Sequence, residues 1–382
     1  MARNKWTEEN STSSSYFEKN NLPVNRLKYK FGQNFLRNKE LAYELAELSL
    51  SDKNSFVFEI GAGAGEFTEA ILKRDSCIIS SEIDEDLHSY LNDKFAHYIE
   101  NGDLSFIFGD AERINFADLY HIYEELTKLT QQSTSLQPNN IATFYYHKNI
   151  YTQDSHISLE PTCNDDNSFI SKKLQFRIRE FNSFRVCANL PYYLTREFLY
   201  KFFLEIPQAD SFALMLQKEA AERLLAYLPN EKGYKRDLYG PLAIFRSLYG
   251  KGSIQKKMAR SDFIPPPRVD SYFILLEKSK YNFIPELLDR NFADFVRCSF
   301  NRRRKTLLYN LRSYYFKDLI EVEDNISFSN NNDIKLSNNK KCINRDDLIH
   351  ILNDLNYKDT IRAEELEPMD FVLIYRSIKL RD

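Results

Sequence analysis

Phe56-Val57-Phe58-Glu59-Ile60-Gly61-Ala62-Gly63-Ala64-Gly65-Glu66 is the stretch that decides how this 382-residue chain folds. A short apolar run bounded by turn residues reads as a buried strand. Glycine at every second position after it supplies backbone conformations that a Cβ forbids, so the strand turns abruptly, and Glu66-Phe67-Thr68 onward reads as a helix. The unit repeats: Cys77-Ile78-Ile79-Ser80-Ser81-Glu82 precedes a helical 86–98, and 104–108 ends at Gly109-Asp110. Val186-Cys187-Ala188-Asn189 reads as the next strand, and Leu41, Leu45 and Leu48 place an amphipathic helix over 39–50, ahead of the first strand. Strands alternating with helices predict an α/β fold with a parallel sheet.

Composition narrows the class without naming a partner. Hydrophobic residues make up 43% and charged residues 28%, which excludes a collagen-like or wholly disordered chain, and no uncharged apolar window is long enough to span a bilayer. Fifty-two Lys+Arg against 55 Asp+Glu give a net charge of −3, so any nucleic-acid contact has to come from local basic patches. Five scattered cysteines and six histidines without ligand spacing argue against a disulfide framework and a metal site, and the reduced cytoplasm is the expected compartment.

Asp110 and Asn189 stand 79 positions apart, far more than a β-α-β step requires, and 129–140 is rich in Gln, Ser, Thr and Asn. An insertion is therefore expected over about 117–183. A second polar stretch at 329–340 reads as a surface loop, and residues 1–25 as a disordered tail.

The glycine spacing is G-x-G-x-G followed by Glu66. A carboxylate there opposes a pyrophosphate but suits a zwitterionic sulfonium ligand, which favours S-adenosylmethionine over a dinucleotide; a glycine turn with no ligand is the plain alternative. Glu82 ends the second strand, 17 positions past Gly65, where a carboxylate can accept both ribose hydroxyls. Asp110 ends the third, where it can accept from an adenine amino group or simply cap a helix. The donor-holding set is thus Glu59, Gly61, Gly63, Gly65, Glu82 and Asp110.

Asn189-Leu190-Pro191-Tyr192 closes the fourth strand, at the sheet edge where ligands of open α/β folds gather. An exocyclic adenine nitrogen is a poor nucleophile because its lone pair is delocalised. Acceptors on its hydrogens, here the Asn189 side-chain oxygen and the Leu190 carbonyl, pull it toward tetrahedral geometry. Pro191 fixes the backbone, and Tyr192 can stack on an extruded base.

With these residues in place, the chain resembles the ribosomal RNA adenine N6,N6-dimethyltransferases. The resemblance runs from about Lys30 to Asp370. It is carried by Phe31-Gly32-Gln33-Asn34-Phe35-Leu36, the glycine turn, Glu82-Ile83-Asp84, Gly109-Asp110, the 189–192 tetrapeptide and 217–224, and then by Phe263-Ile264-Pro265-Pro266-Pro267-Arg268-Val269-Asp270-Ser271, Arg303-Arg304-Lys305-Thr306-Leu307 and Arg362-Ala363-Glu364-Glu365-Leu366. It implies a Rossmann-like class I S-adenosylmethionine-dependent methyltransferase domain over 26–280 and a small C-terminal helical RNA-binding domain over 281–382. It also implies that Asn34, Leu36, Gly61, Glu82, Asp110 and Asn189 contact the donor, with Asn189 and Tyr192 gripping the target adenine. The implied substrate is a pair of adjacent adenines in the 3′-terminal hairpin of small-subunit rRNA within an immature subunit, served by a monomer without metal or membrane. Tyr193, where members of the family often carry Asn, is a departure.

Arg302, Arg303, Arg304 and Lys305 follow the apolar stripe Phe292, Phe295, Val296 and Phe300, so a helix presenting a phosphate-neutralising face is expected there. Lys251, Lys256, Lys257 and Arg260 form a second basic run, and Arg26, Lys28 and Lys30 a third; any of these also fits a solvated surface. Two rival readings are a large-subunit rRNA adenine methyltransferase conferring antibiotic resistance and a non-catalytic nucleic-acid-binding factor of the same fold. Leu190 and the 263–271 segment weigh against the first, the intact acids and Asn189 against the second.

Overall fold

The computed structural model describes residues 33–50, 55–132, 172–178, 180–191, 193–280, 283–315 and 345–380. The expected tail, the basic run at 26–30, Tyr192, most of the expected insertion and the Asn-rich stretch lie outside the described residues. Two compact units are present: Met1–Ala221 with Lys251–Lys278, and Glu222–Gly250 with Ser279–Asp382. Among the described residues no helix is long and apolar enough to cross a membrane.

The first unit is built on β2 (Phe56–Ile60), β3 (Cys77–Glu82), β4 (Leu104–Phe108), β5 (Phe184–Asn189), β6 (Ser211–Gln217), β7 (Gly250–Met258) and β9 (Ser271–Lys278), in the order β4-β3-β2-β5-β6-β9-β7. Strands β4, β3, β2, β5 and β6 run parallel, and β9 is antiparallel to β6. The central strands are buried on both faces, which is why they read as nearly continuous apolar runs rather than as alternation. The chain order reverses between β2 and β5. The carboxyl ends of those two strands, in register at Ile60 and Ala188, therefore flank the crevice where ligands of such sheets bind.

Helices α1 (Lys39–Ser49), α2 (Glu66–Leu72), α3 (His88–Asn101), α4 (Phe116–Gln132), α5 (Lys172–Ile178), α6 (Thr195–Glu205) and α7 (Lys218–Leu224) complete the order of elements up to residue 224. The Asn38 side chain caps α1 by accepting from the Leu41 N–H at 2.7 Å. A small separate ladder pairs β1 (Phe35–Leu36) with β8 (Phe263–Ile264), and the Arg37 N–H donates to the Asp262 carbonyl at 2.8 Å.

The expected insertion begins too early. Residues 116–132 form α4, the crossover helix between β4 and β5: Leu119, Tyr123 and Leu126, at helical spacing, are buried. Phe116 packs edge-on to Phe58, and Tyr123 stacks on Phe56 with ring centroids 5.5 Å apart. Leu174, Ile178 and Phe181 are buried as well, so the chain has rejoined the core by 174. A parallel step needs a helix to cover the sheet, and α4 meets that need.

In the second unit α8 (Pro241–Tyr249), α9 (Arg290–Ser299), α10 (Leu307–Tyr315), α11 (Arg345–Asp354) and α12 (Pro368–Leu380) pack on one another. Their shared core includes Phe245, Phe292, Phe295, Phe371 and Tyr375. Residues 222–250 group with this unit, whereas the sequence reading assigns everything up to 280 to the first domain. Buried Tyr239 shows why: its hydroxyl donates to the Leu366 carbonyl at 2.7 Å and its ring meets Phe300 edge-on. The basic cluster also differs from expectation. The α9 stripe stops at Ser299, and residues 302–305 form a turn leading into α10, held by Asn310, which accepts from the Arg302 N–H and donates to the Ser299 carbonyl.

Candidate active site

The glycine turn is conformationally obligatory. Gly61, Gly63 and Gly65 have φ of +81°, +57° and +81°, the left-handed region that L side chains resist. The Gly61 and Ala62 N–H groups both donate to the Ser81 carbonyl, tying the turn to the end of β3. Glu82 continues that tie through its side chain, accepting from the Gly63 N–H at 2.7 Å and the Asp84 N–H at 2.8 Å. Burial pushes its carboxyl up to about 7 against these two favourable contacts. Asp84 in turn accepts from Gln33 Nε2 at 2.7 Å, bringing the segment before β1 to the same place.

Two residues of the expected donor-holding set stand behind the wall rather than on it. Glu59 is 1% exposed and accepts from Thr68 on α2 and Ser80 on β3, each at 2.7 Å. It positions the turn by joining three elements, and burial raises its carboxyl to about 7. Gly65 faces α3, where an added Cβ would lie 2.6 Å from the Phe95 ring. Strand alternation turns Glu59 toward the core, and close helix packing, not a ligand, accounts for Gly65.

Asn189 lies across from the turn. Its Nδ2 donates to the Asn34 carbonyl at 2.8 Å, so the amide nitrogen is committed and Oδ1 is the end left to accept. Leu190 and Pro191 follow it on the same wall. The Pro191 carbonyl accepts from the Leu194 N–H and the Thr195 hydroxyl, which starts α6 directly after the tetrapeptide.

Together these groups line one cleft, to which Asn34, Leu36, Gly61, Gly63, Glu82, Asp110, Asn189, Leu190 and Pro191 all contribute. Asp110 combines its two sequence readings: it lines the cleft and also caps a short helical turn, accepting from the Glu112 N–H at 2.9 Å. Glu66, Glu82 and Asp110 are the charged side chains on the wall; among the described residues no lysine, arginine or histidine joins them. Three carboxylates without a cation suit a ligand that brings positive charge of its own. The sequence reading left Gln33, Ile83, Ala111, Tyr193, Phe198 and Met215 off this wall. Ile83 and Ala111 directly follow Glu82 and Asp110 and were legible from that adjacency. Met215 was not, because only the β5–β6 register sets it beside Asn189.

The family model described as ribosomal RNA adenine dimethylase matches residues 24–349. The chain belongs to that family. Among relatives, the ribosomal RNA small subunit methyltransferase A of Clostridium botulinum is 29% identical over 294 residues, covering 76% of this chain and 82% of that one. The protein of the same name from Campylobacter hominis is 25% identical over 360 residues, covering 93% and 97%. The crystal structure of a dimethyladenosine transferase from Plasmodium falciparum shares the fold, with a TM-score of 0.56 at 19% identity over 91% of this chain and 98% of that one. Within the adenine dimethylase family, this chain's Tyr193 is 57% exposed at the lip of the cleft.

In the second unit, Arg302, Arg304 and Lys305 are exposed and have no carboxylate partner among the described residues, while Arg303 donates to the Arg236 carbonyl at 2.8 Å. Arg302, Lys305 and Arg312 surround the Tyr309 ring at 5.5, 5.1 and 4.0 Å. In the second basic run Lys256 is already paired with Glu44 at 2.6 Å. His121, Glu124 and Glu125 cluster on α4, but Lys128 bridges both glutamates.

Proposed function

We propose that this adenine dimethylase family member transfers methyl groups from S-adenosylmethionine to N6 of two adjacent adenines in the 3′-terminal hairpin of small-subunit rRNA, acting as a monomer in the cytoplasm on an immature subunit. The observation that carries the reading is the orientation of Asn189. With Nδ2 anchored on the Asn34 carbonyl, Oδ1 is the free end of the amide, as an acceptor for an amino hydrogen must be. The relatives named as small-subunit methyltransferases support the substrate, and the cationic preference of the cleft supports the donor.

When bound, the donor supplies an electrophilic methyl group on a sulfonium. Glu82 would hold the donor's ribose hydroxyls while keeping its backbone donors, and Asp110 would accept from the donor's adenine amino group. Asn189 Oδ1 and the Leu190 carbonyl hold the hydrogens of the target amino group, drawing its lone pair out of conjugation toward the methyl. Methylation acidifies the remaining N–H, so its proton leaves to water without a strong base. A second transfer to the same nitrogen requires that one of these acceptors release its hydrogen, so the pair acts as two separable contacts. Residues 302–305 neutralise RNA phosphates.

The test is methyl transfer to immature small subunits, naked rRNA and large subunits side by side. Transfer to the small-subunit particle alone is expected; methylation of large subunits instead would overturn the assignment. Asn189→Ala is expected to lower transfer at least a hundredfold with RNA retention unchanged.

A further inference from the structure

Among the large apolar side chains on the cleft wall, Tyr193 is the most exposed, whereas Leu190 and Phe198 beside it in sequence are buried. Its backbone is nonetheless fixed. The Leu194 N–H donates to the Pro191 carbonyl at 3.1 Å, closing a turn over 191–194, and the Phe198 N–H donates to the Leu194 carbonyl at 3.0 Å as α6 begins. Tyr193 therefore holds its ring at the lip on a turn braced from both sides. Partial burial, then the carboxylates of Glu112 and Asp110, raise its hydroxyl above the ordinary phenol range, so the ring offers a neutral π-face to whatever enters.

Methylation of two adjacent adenines creates a need for such a ring. Bringing one base to Asn189 and Leu190 takes it away from its neighbour, and the lost stacking is part of the cost of extrusion. An aromatic side chain makes good that loss, because every base has a π-face to lay on it. We infer that Tyr193 stacks on the base next to the one being methylated, in place of the partner that has entered the cleft. A purine gives the larger face, so the contact selects paired adenines over a lone one. The inference rests on the reaction proposed above and adds to it a residue that touches the RNA.

Methyl transfer by the full chain to immature small subunits tests it, using particles with the adenine pair intact and particles with either adenine replaced by uridine. On the intact pair, Tyr193→Ala is expected to slow transfer about tenfold, the lower part of the range for losing one base–aromatic stack, and Tyr193→Phe to stay within about twofold of wild type. With uridine as the neighbour, the deficit of Tyr193→Ala is expected to shrink to about threefold or less for at least one of the two replacements, because wild type loses much of the same stack. A tenfold deficit that persists in both replaced particles would place the ring on the target base. Tyr193→Phe as slow as Tyr193→Ala would assign the effect to the hydroxyl. An equal loss of S-adenosylhomocysteine affinity in calorimetry would make Tyr193 a donor contact, and undiminished transfer by Tyr193→Ala would remove it from the reaction; each of these four overturns the inference. A wild-type chain that left the intact pair unmethylated would instead sink the proposed reaction, and this inference with it.

Discussion

At the residue scale, the site depends on backbone conformations and carboxylates whose costs can be measured. Gly65→Ala places a side chain at φ +81° and its Cβ 2.6 Å from Phe95, so a loss of about 2 kcal/mol or more is expected in denaturant unfolding. Gly63→Ala combines φ +57° with a milder contact, 3.1 Å to Phe35, and is expected to reduce donor affinity more than stability, as comparison of calorimetry with unfolding would show. Glu59 titrates near 7 when folded against about 4.3 in an unfolded chain. The native state therefore binds more protons between those values, and stability falls as pH rises from about 4.5 to 7, then levels. Glu82 acts in the same direction. The melting temperature of Glu59→Gln relative to wild type is accordingly expected to increase from pH 5 to pH 8; a pH-independent difference would refute the assignment. That Glu59 mattered was legible beside the glycines; that it serves from behind was not, because its partners Thr68 and Ser80 come from two other elements.

At the scale of elements, the informative piece is the short ladder between β1 and β8. Gln33, Asn34, Phe35 and Leu36 line the cleft, and what fixes them is pairing of 35–36 with 263–264 together with the Arg37–Asp262 bond. Phe263 is buried and absent from the cleft wall, so Phe263→Ala acts on the ligand only through this ladder. It is expected to cost about 3 kcal/mol of stability and to weaken donor binding severalfold, seen by unfolding and calorimetry on the same sample. The two segments stand more than 200 positions apart, so the sequence offers the motifs but not their pairing. The crossover helix is the opposite case. Leu119, Tyr123 and Leu126 carry the helical period in plain view, and only the polar composition of the adjoining 129–140 stretch hides it.

At the scale of the whole molecule, two units hold two kinds of chemistry: an acidic cleft in the first and, in the second, a basic turn whose Arg302, Arg304 and Lys305 have no carboxylate partner among the described residues. Replacing Arg302, Arg304 and Lys305 together with alanine is expected to leave donor binding unchanged. It should lower the salt dependence of RNA retention, the slope of log K against log salt falling by about 2 for three lost phosphate contacts. An unchanged slope in filter binding across a salt series would remove these residues from the RNA surface. The membership of residues 222–250 in the second unit is decided by packing of Tyr239 and Phe245 on Phe300 and Phe292, residues far along the chain.

The sequence by itself determined the parallel sheet, the glycine turn, the acids that end β3 and β4 and the Asn189 tetrapeptide, because each depends on local periodicity, on spacing, or on a conformation only glycine adopts. Tertiary structure alone decided which atom of Asn189 is free, which acids face the cleft and which stand behind it, and which segment shares a core with the C-terminal helices. Those outcomes depend on hydrogen bonds and contacts between residues distant along the chain, and nothing local in a sequence encodes which distant partner will arrive.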